Sequence, residues 1–238
     1  MTKRYIFALA ALLGIFWEKA LALDIYSHKM EFLMLEDGSG AYQKLLAVLS
    51  QNAKLSYKIN MLPINRAQLA FAENSQSCLL SGAGSLDNIR HQYISSLPLG
   101  FIRLHLFNLP GKTKLTSFAD LSADNTLGGL IGLKKLYDKL LPEELEIELV
   151  NNDEQNLKKL RLGRIDAVLA FLPDFRRYQA QLQYSPEFVL YQSYDSVFCH
   201  DTASNRLYIE TLNRALEQIT ADNRYRKIMG ELYMPPGF

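Results

Sequence analysis

The sequence has 238 residues, of which 48% are apolar and 21% are charged, and its formal net charge is +1. This composition is too apolar for a disordered chain and too evenly charged for a protein that binds nucleic acid through bulk charge. The 13 glycines and 8 prolines are ordinary counts, which excludes collagen-like and low-complexity chains.

Residues 1–22 have the layout of a secretory signal peptide. Lys3 and Arg4 precede an apolar run over residues 5–17, and the small-residue site Ala-Leu-Ala follows at residues 20–22. The apolar run is shorter than the about 20 residues that span a bilayer, so a retained anchor is the weaker interpretation. We therefore predict that residues 1–22 are cleaved and that the protein is periplasmic.

The sequence contains two cysteines, Cys78 and Cys199. Export to an oxidising compartment permits a disulfide between them. The alternative is two buried thiols that act as small apolar side chains, because sequence separation does not show whether their Cα atoms approach each other. The sequence leaves both interpretations open.

Strand and helix patterns alternate along the rest of the chain. Such alternation, with helices of about ten residues, is typical of parallel sheets covered on both faces, which predicts an α/β fold. Two further helices are predicted within residues 204–232. The predicted strands cover residues 24–30, 55–62, 78–80, 101–107, 126–131, 145–150 and 165–170, and the predicted helices between them include residues 66–73, 133–141 and 153–162.

The predicted sheets indicate where a ligand could bind. In open parallel sheets, ligands bind beyond the carboxyl ends of the strands, where loops and helix amino termini meet. This rule selects the loop Ser81–Ser85, the loop at Gly132 and the segment after Ala170. The first of these is rich in hydrogen-bonding groups, and its glycines allow backbone N–H groups to approach a ligand closely.

Four segments, in one order along the chain, resemble the motifs of a known family. They are Ser85-Leu86-Asp87-Asn88-Ile89-Arg90 with Ser95, Ser96 and Pro98; Phe118–Leu121 with Gly128, Gly129 and Gly132; Asn156–Leu160 with Gly163–Val168; and Leu212–Leu216 with Tyr225, Ile228 and Tyr233. Together they resemble the amino-acid-type family, family 3, of bacterial extracellular solute-binding proteins, the receptors of ABC importers.

The resemblance implies a type II periplasmic-binding-protein fold, in which two α/β lobes are joined by two crossing strands. The crossings would fall near Arg103–Phe107 and Tyr191–Phe198. Lobe 1 would then comprise residues 23–106 and 196–238, and lobe 2 residues 107–195. Such receptors close around a ligand by a hinge motion.

The resemblance also implies ligand contacts in the first motif. Arg90 stands where the family has the arginine that clamps a ligand carboxylate, and a guanidinium suits this role because it offers two parallel hydrogen bonds. The alternative is a surface arginine paired with Asp87. Ser85 matches a ligand-contacting serine, and Gly82 and Ala83 occupy positions that could contribute backbone groups.

Three further residues are candidate ligand contacts, and each could instead have a purely structural role. Arg66, in a variant "P-x-x-R-a" motif, could face the cleft or could be solvated on its helix. Lys134 could bind an anion at a helix start or could point to solvent. Phe32 could supply a stacking wall, although burial in the core is the ordinary role of such a residue.

Phe171 is the largest departure from the family pattern. Members that bind α-amino acids usually have an aspartate there, which holds the ligand ammonium. An aromatic ring can offer only a cation–π contact to such a group. Asp174, three residues further on, could replace the missing carboxylate only if the loop is rebuilt.

These features predict a periplasmic binding protein without catalysis, which captures a small carboxylate-containing or amino-acid-like ligand as a monomer for a membrane ABC permease. The alternatives are a receptor that feeds a membrane sensor, and a periplasmic dehydratase-like enzyme on the same fold; Phe171 counts against the enzyme. We expect no cofactor and no nucleic-acid partner. We also expect no metal, since the four histidines show no short spacing to cysteines or carboxylates.

Overall fold

The computed structural model describes residues 22–82, 86 and 92–235. The predicted signal peptide and three of the predicted ligand contacts, Ala83, Ser85 and Arg90, lie outside these residues. None of the described helices has the length and apolar character that crossing a membrane would require.

The described chain alternates strands and helices, with two helices at its end. The strands are β1 (Leu23–Ser27), β2 (Tyr57–Met61), β3 (Cys78–Gly82), β4 (Tyr93–Ser95), β5 (Gly100–Phe107), β6 (Thr126–Leu130), β7 (Glu146–Val150), β8 (Ala167–Leu172) and β9 (Tyr191–His200). The α-helices are α1 (Ala41–Ala53), α2 (Ile64–Glu73), α3 (Lys134–Leu140), α4 (Asp153–Arg161), α5 (Arg176–Gln179), α6 (Ala203–Ala221) and α7 (Arg224–Met229).

The strands form one sheet in the order β2-β1-β3-β9-β5-β8-β6-β7, with β4 also paired to β9. At one end β2, β1 and β3 are parallel, and at the other end β8, β6 and β7 are parallel. Between these two parallel arrays, β9 and β5 run antiparallel to each other and to their outer neighbours. The sheet therefore has two parallel halves joined through a central antiparallel pair.

The central pair corresponds to the two crossings expected from the sequence. β5 and β9 pair with each other from Gly100 opposite Asp195 to Leu104 opposite Tyr191. Beyond this stretch, β9 continues along β3 and β5 continues along β8. The two long strands therefore carry the chain from one half of the sheet to the other, as predicted.

Both parallel arrays are covered on two faces, and strand alternation explains how. In β8, the side chains of residues 168, 170 and 172 join a cluster with Phe107, Leu160 and Phe175. The side chains of residues 167 and 169, from the opposite face, join Leu127 and Tyr137. In the other array, α1, α6 and α7 cover one face and α2 covers the second.

Two short elements were missed by the sequence prediction, and several boundaries differ by one to three residues, the end of the first strand most of all. The first strand ends at Ser27, three residues early, because the chain turns at residues 30–34, where the amide of Met34 donates to the carbonyl of Met30 over 2.8 Å. Phe32 within this turn has a positive φ of 63°. The elements β4 and α5 were missed because they have three and four residues, too few for a periodic pattern.

A disulfide joins Cys78 and Cys199. The two residues are directly opposite each other in the antiparallel β3–β9 pair, and their Cα atoms are 4.1 Å apart. Both side chains are fully buried in the cluster beneath α1 and α6. The disulfide thus ties the first parallel array to the strand by which the chain returns from the second.

Candidate functional site

The two halves of the molecule face each other beyond the carboxyl ends of their parallel strands. The segment after β1 approaches the segment after β8, where the guanidinium carbon of Arg177 lies 4.5 Å from the ring centroid of Phe32. The loop after β6 approaches the start of α2, since a Cβ built on Gly132 would lie 3.1 Å from Cγ2 of Ile64. We call the space between these segments the cleft.

Asp174 lies in the segment after β8, one residue beyond the cis peptide bond between Leu172 and Pro173. Its Oδ1 atom is shielded from solvent and has no hydrogen-bond partner among the described residues. Burial raises the pKa of this carboxyl well above its usual range, and the charges of Asp195 and Asp153 add to the effect. Asp174 is therefore a shielded carboxyl with free acceptor capacity.

Asp195 lies in the middle of β9 and is 2% exposed. Its Oδ2 accepts a hydrogen bond of 2.8 Å from the hydroxyl of Tyr42 on α1. Burial raises the pKa of Asp195 to about 6, although the bond from Tyr42 favours the charged form. Asp195 and Tyr42 thus form a satisfied buried pair close enough to Asp174 for its charge to interact with both.

Asp153 is the first residue of α4, and its carboxyl faces the segment after β1. Its Oδ1 is shielded and has no hydrogen-bond partner in the described part of the chain. Burial and the charge of Glu31 raise the pKa of Asp153 to about 6, while Lys29 opposes this effect. Lys29 itself forms a 2.5 Å ion pair with Glu31. Charges of the two halves therefore interact across the cleft.

His28 follows β1 directly and contributes a third unpartnered atom. Its Nδ1 is shielded from solvent without a hydrogen bond to any described residue. Burial lowers the pKa of His28 to about 4, so the imidazole is neutral at physiological pH.

Ser81 and Ser196 add two hydroxyls at the end of β3. They are directly opposite each other in the β3–β9 pair, and both hydroxyl oxygens are shielded without a described partner. Shielded polar atoms without hydrogen bonds cost about 1–3 kcal/mol each, and a native protein contains few of them. Other such atoms in the described residues belong to Asn108, Asn156 and Arg176. Those of His28, Ser81, Asp153 and Asp174 lie at or just after the carboxyl ends of β1, β3, β7 and β8, and we take this edge as the candidate site.

The structure places two predicted contacts beside the cleft. Phe32 is half-buried in the turn after β1, with Arg177 over its ring. Gly82 is the last residue of β3 and lies opposite Asp195, so a Cβ at this position would be 3.4 Å from Oδ1 of Asp195. Gly82 directly follows Ser81, one of the residues with a shielded, unpartnered atom, and the contact of either residue with a ligand stays a prediction.

The remaining described candidates lie elsewhere on the same edge or in the core. Arg66 is exposed near the start of α2. Lys134 forms a 2.7 Å ion pair with Asp138 one turn further along α3, and both side chains are more than half exposed. Phe171 packs at the edge of the core beneath α3, with its ring centroid 6.3 Å from that of Tyr191.

Sequence reasoning did not select His28, Asp153 or Asp195, and it treated Asp174 only as a remote substitute. The histidines were considered as metal ligands alone, whereas the useful signal was the position of His28 directly after a strand. Asp153 carried a similar signal, since it begins a helix that follows a strand. Nothing local marked Asp195, because its burial results from pairing between β9 and strands distant in sequence.

No protein-family model matches the sequence, and no curated protein matches it significantly. Solved structures do match. The GluR0 ligand-binding core from Nostoc punctiforme, in complex with L-glutamate, has a TM-score of 0.72 at 15% identity, covering 90% of this chain and 100% of its own. The arginine-, lysine-, histidine-binding protein ArtJ from Geobacillus stearothermophilus has a TM-score of 0.68 at 14% identity, covering 90% of this chain and 96% of its own.

A third similar structure is the ancestral amino-acid-binding protein AncCDT-1, described as a precursor of cyclohexadienyl dehydratase. It has a TM-score of 0.68 at 16% identity, covering 90% of this chain and 95% of its own. Together with the sheet order, these similarities confirm the predicted fold class, the two-lobe periplasmic-binding-protein fold. Its two lobes are the halves on either side of the cleft.

Proposed function

We propose that the protein is a periplasmic solute-binding protein, which captures a small carboxylate-containing or amino-acid-like ligand in the cleft and presents it to a membrane ABC permease. The observation that carries this proposal is the set of shielded, unpartnered polar atoms on both sides of the cleft, on His28, Ser81, Asp153 and Asp174. A ligand that enters the cleft would supply the missing hydrogen-bond partners.

The similar structures support a binding role. ArtJ is a binding protein for arginine, lysine and histidine, and the GluR0 core was solved with L-glutamate. In our proposal, lobe 1 (residues 23–106 and 196–238) and lobe 2 (residues 107–195) close on the ligand by bending in the central β5–β9 pair. Arg90, Ser85, Ala83 and Gly82 would hold the carboxylate, and Phe32 would form part of the wall.

Ligand binding is tested in two steps. Mass spectrometry of protein purified without unfolding should detect a retained small molecule, and isothermal titration with amino acids and carboxylates should give a saturable isotherm. We expect Arg90→Ala to weaken that binding by about 10- to 100-fold, the loss of one charge-assisted hydrogen bond or more.

The control is Arg214→Ala, because Arg214 is exposed on α6 and bonds only to Thr211 among the described residues. This variant should bind like the wild type. A protein that retains nothing and binds nothing would contradict the proposed function. Unchanged binding by Arg90→Ala would contradict the assigned carboxylate contact.

A dehydratase-like activity is a second candidate, favoured by one observation. Asp174 is a shielded carboxyl whose pKa burial raises well above its usual range, as in carboxyls that serve as general acids. The similarity to AncCDT-1 is compatible with this role. Product formed from a prephenate-type substrate would support the enzyme, whereas saturable binding without product would support the receptor.

A further inference from the structure

We infer that α5 clasps the two lobes together, through Arg177 on one side and Arg176 on the other. Both act as positioning residues rather than as ligand contacts, and they set how readily the cleft closes. Their role in ligand capture rests on the proposed solute-binding function, whereas the contacts between the lobes are tested without any ligand.

The first step is the attachment of α5 to lobe 2. The helix comprises Arg176–Gln179 and follows β8. Phe175, the residue before it, is fully buried in the core of lobe 2, with its ring centroid 4.9 Å from that of Phe107. The helix therefore moves with lobe 2, and any contact that it makes with lobe 1 changes when the lobes separate.

The second step is the contact of Arg177 with Phe32 of lobe 1. The guanidinium carbon lies 4.5 Å from the ring centroid, within the about 6 Å over which a cation–π contact is favourable. The backbone that carries the ring is held in place, because the carbonyl of Phe32 accepts a 2.8 Å hydrogen bond from the amide of Ala41 and the next two residues, Leu33 and Met34, are fully buried. Phe32 therefore cannot follow Arg177 when lobe 2 moves away, and the contact favours the closed arrangement.

The third step is the contact of Arg176 with the segment after α7, which belongs to lobe 1 in the proposed division. The Nη1 group donates to the carbonyl of Glu231, and Nη2 lies 3.2 Å from Sδ of Met234. Arg103 on β5 extends this attachment, since its Nη2 donates to the carbonyl of Pro235 over 3.2 Å. Two neighbouring residues of α5 thus reach two separate parts of lobe 1, the turn after β1 and the segment after α7.

The partners of the two arginines on lobe 1 are a ring, a carbonyl and a thioether, and none carries a charge. Among the residues that the structure describes, neither arginine forms an ion pair with a carboxylate. Such contacts are weaker than a bidentate pair with a carboxylate, so they bias the equilibrium between open and closed lobes and do not lock it. When only part of the population is closed, the apparent affinity for every ligand falls by the same factor. The clasp therefore raises affinity without selecting among ligands.

The lobe contacts are tested by small-angle X-ray scattering of the purified full chain, dialysed until mass spectrometry finds no retained molecule. Arg177→Ala and Arg176→Met should each open the lobes and increase the radius of gyration relative to the wild type. Arg164→Ala is the matched control, because it removes an exposed arginine of lobe 2 in the turn between α4 and β8, and it should scatter like the wild type. Circular dichroism would confirm folding, and Arg177→Ala remains decisive if Arg176→Met does not fold, since Arg177 is exposed.

A double-mutant cycle then tests whether Arg177 acts through the ring. Phe32→Leu should also open the lobes, and Arg177→Ala should add little in the Phe32→Leu background. Calorimetry with L-glutamate and L-arginine measures the effect on binding. Arg177→Ala should weaken the binding of both probes by the same factor, about 2- to 10-fold, whereas loss of a ligand contact would change the two affinities unequally.

The outcomes separate this inference from the proposed function. Wild-type scattering by both Arg177→Ala and Arg176→Met would overturn the clasp even if the protein binds a ligand. An undiminished effect of Arg177→Ala in the Phe32→Leu background, or unequal losses for the two probes, would overturn it as well. Where a probe does not bind, the scattering results decide. If nothing binds to the wild type but the variants still open the lobes, the clasp stands and the solute-binding function fails.

Discussion

Tyr42 depends on two other residues for its buried position. Its side chain is fully buried, its hydroxyl donates to Asp195, and it passes so close to the start of β5 that a Cβ on Gly100 would lie 2.2 Å from the hydroxyl oxygen. No real Cβ contact is that short, so only glycine fits at position 100. Three residues distant in sequence are thereby fixed together beside the central strand pair.

Gly100→Ala should therefore lower the free energy of unfolding by about 1–3 kcal/mol, the usual cost of overpacking a core. Gly82→Ala is the matched control, since its added Cβ would meet only ordinary contacts at 3.4 Å. Urea denaturation measures both. Equal stability of the two variants would show that Tyr42 can move aside without cost.

The titration of Asp195 makes the free energy of unfolding fall, rather than rise, as the pH increases. Its folded pKa is about 6, whereas an unfolded aspartate titrates near pH 3.9. Between these values the folded state binds more protons, so the contribution of Asp195 to the free energy of unfolding is largest at low pH and falls as the pH rises toward and through 6.

Asp195→Asn removes this titration and keeps an acceptor for Tyr42. Its stability relative to the wild type should increase by up to about 1.4 kcal/mol per pH unit between pH 4 and 6, then level off. Asp120 should behave oppositely, because hydrogen bonds from Thr116 and Ser117 lower the pKa of its carboxyl. Relative to the wild type, Asp120→Asn should lose stability as the pH rises toward and through the unfolded value near 3.9, with no further change above about pH 5. Urea titrations at pH 3.5, 4.5, 5.5 and 7.5 compare the two variants.

At the scale of elements, β9 holds the molecule together. It pairs with β3, β4 and β5, and the disulfide at Cys199 fixes its register on β3. The segment after α7 adds a second link, since Met234 is buried against the core of lobe 2 and the carbonyl of Pro235 accepts a 3.2 Å hydrogen bond from Arg103. Both lobes therefore depend on the last part of the chain.

Removing the disulfide should be costly because it closes a long loop, with 121 residues of sequence separation. The chain-entropy model predicts that the double variant Cys78→Ala/Cys199→Ala loses about 3–5 kcal/mol in free energy of unfolding. Urea denaturation would measure the loss. Wild type treated with a reductant keeps both side chains and should lose a similar amount. An unchanged midpoint in both samples would mean that the bond does not constrain the unfolded chain.

At the scale of the whole molecule, the sequence predicted the α/β class and both crossing strands, because long periodic segments and ordered motifs span most of the chain. The rule on strand ends selected the segments after β3, β6 and β8, and in the structure the segments after β6 and β8 border the cleft. Ligand binding there stays a prediction. The rule could not identify the unpartnered groups there. The shielding of Asp174 and His28 depends on which distant segments cover them, and no local pattern records that.

The disulfide also determines how the molecule would carry a mechanical load. A force applied between the two ends of the described chain would pass from Cys78 directly to Cys199 and would bypass the residues between them, which include the whole of lobe 2. At about 3.6 Å per extended residue, the loop closed by the disulfide corresponds to roughly 40 nm of extended chain. This length could not be pulled out until the bond is reduced. In the oxidised protein, the force would therefore unfold only residues outside the disulfide loop, which belong to lobe 1. The strands of lobe 2 would carry no load.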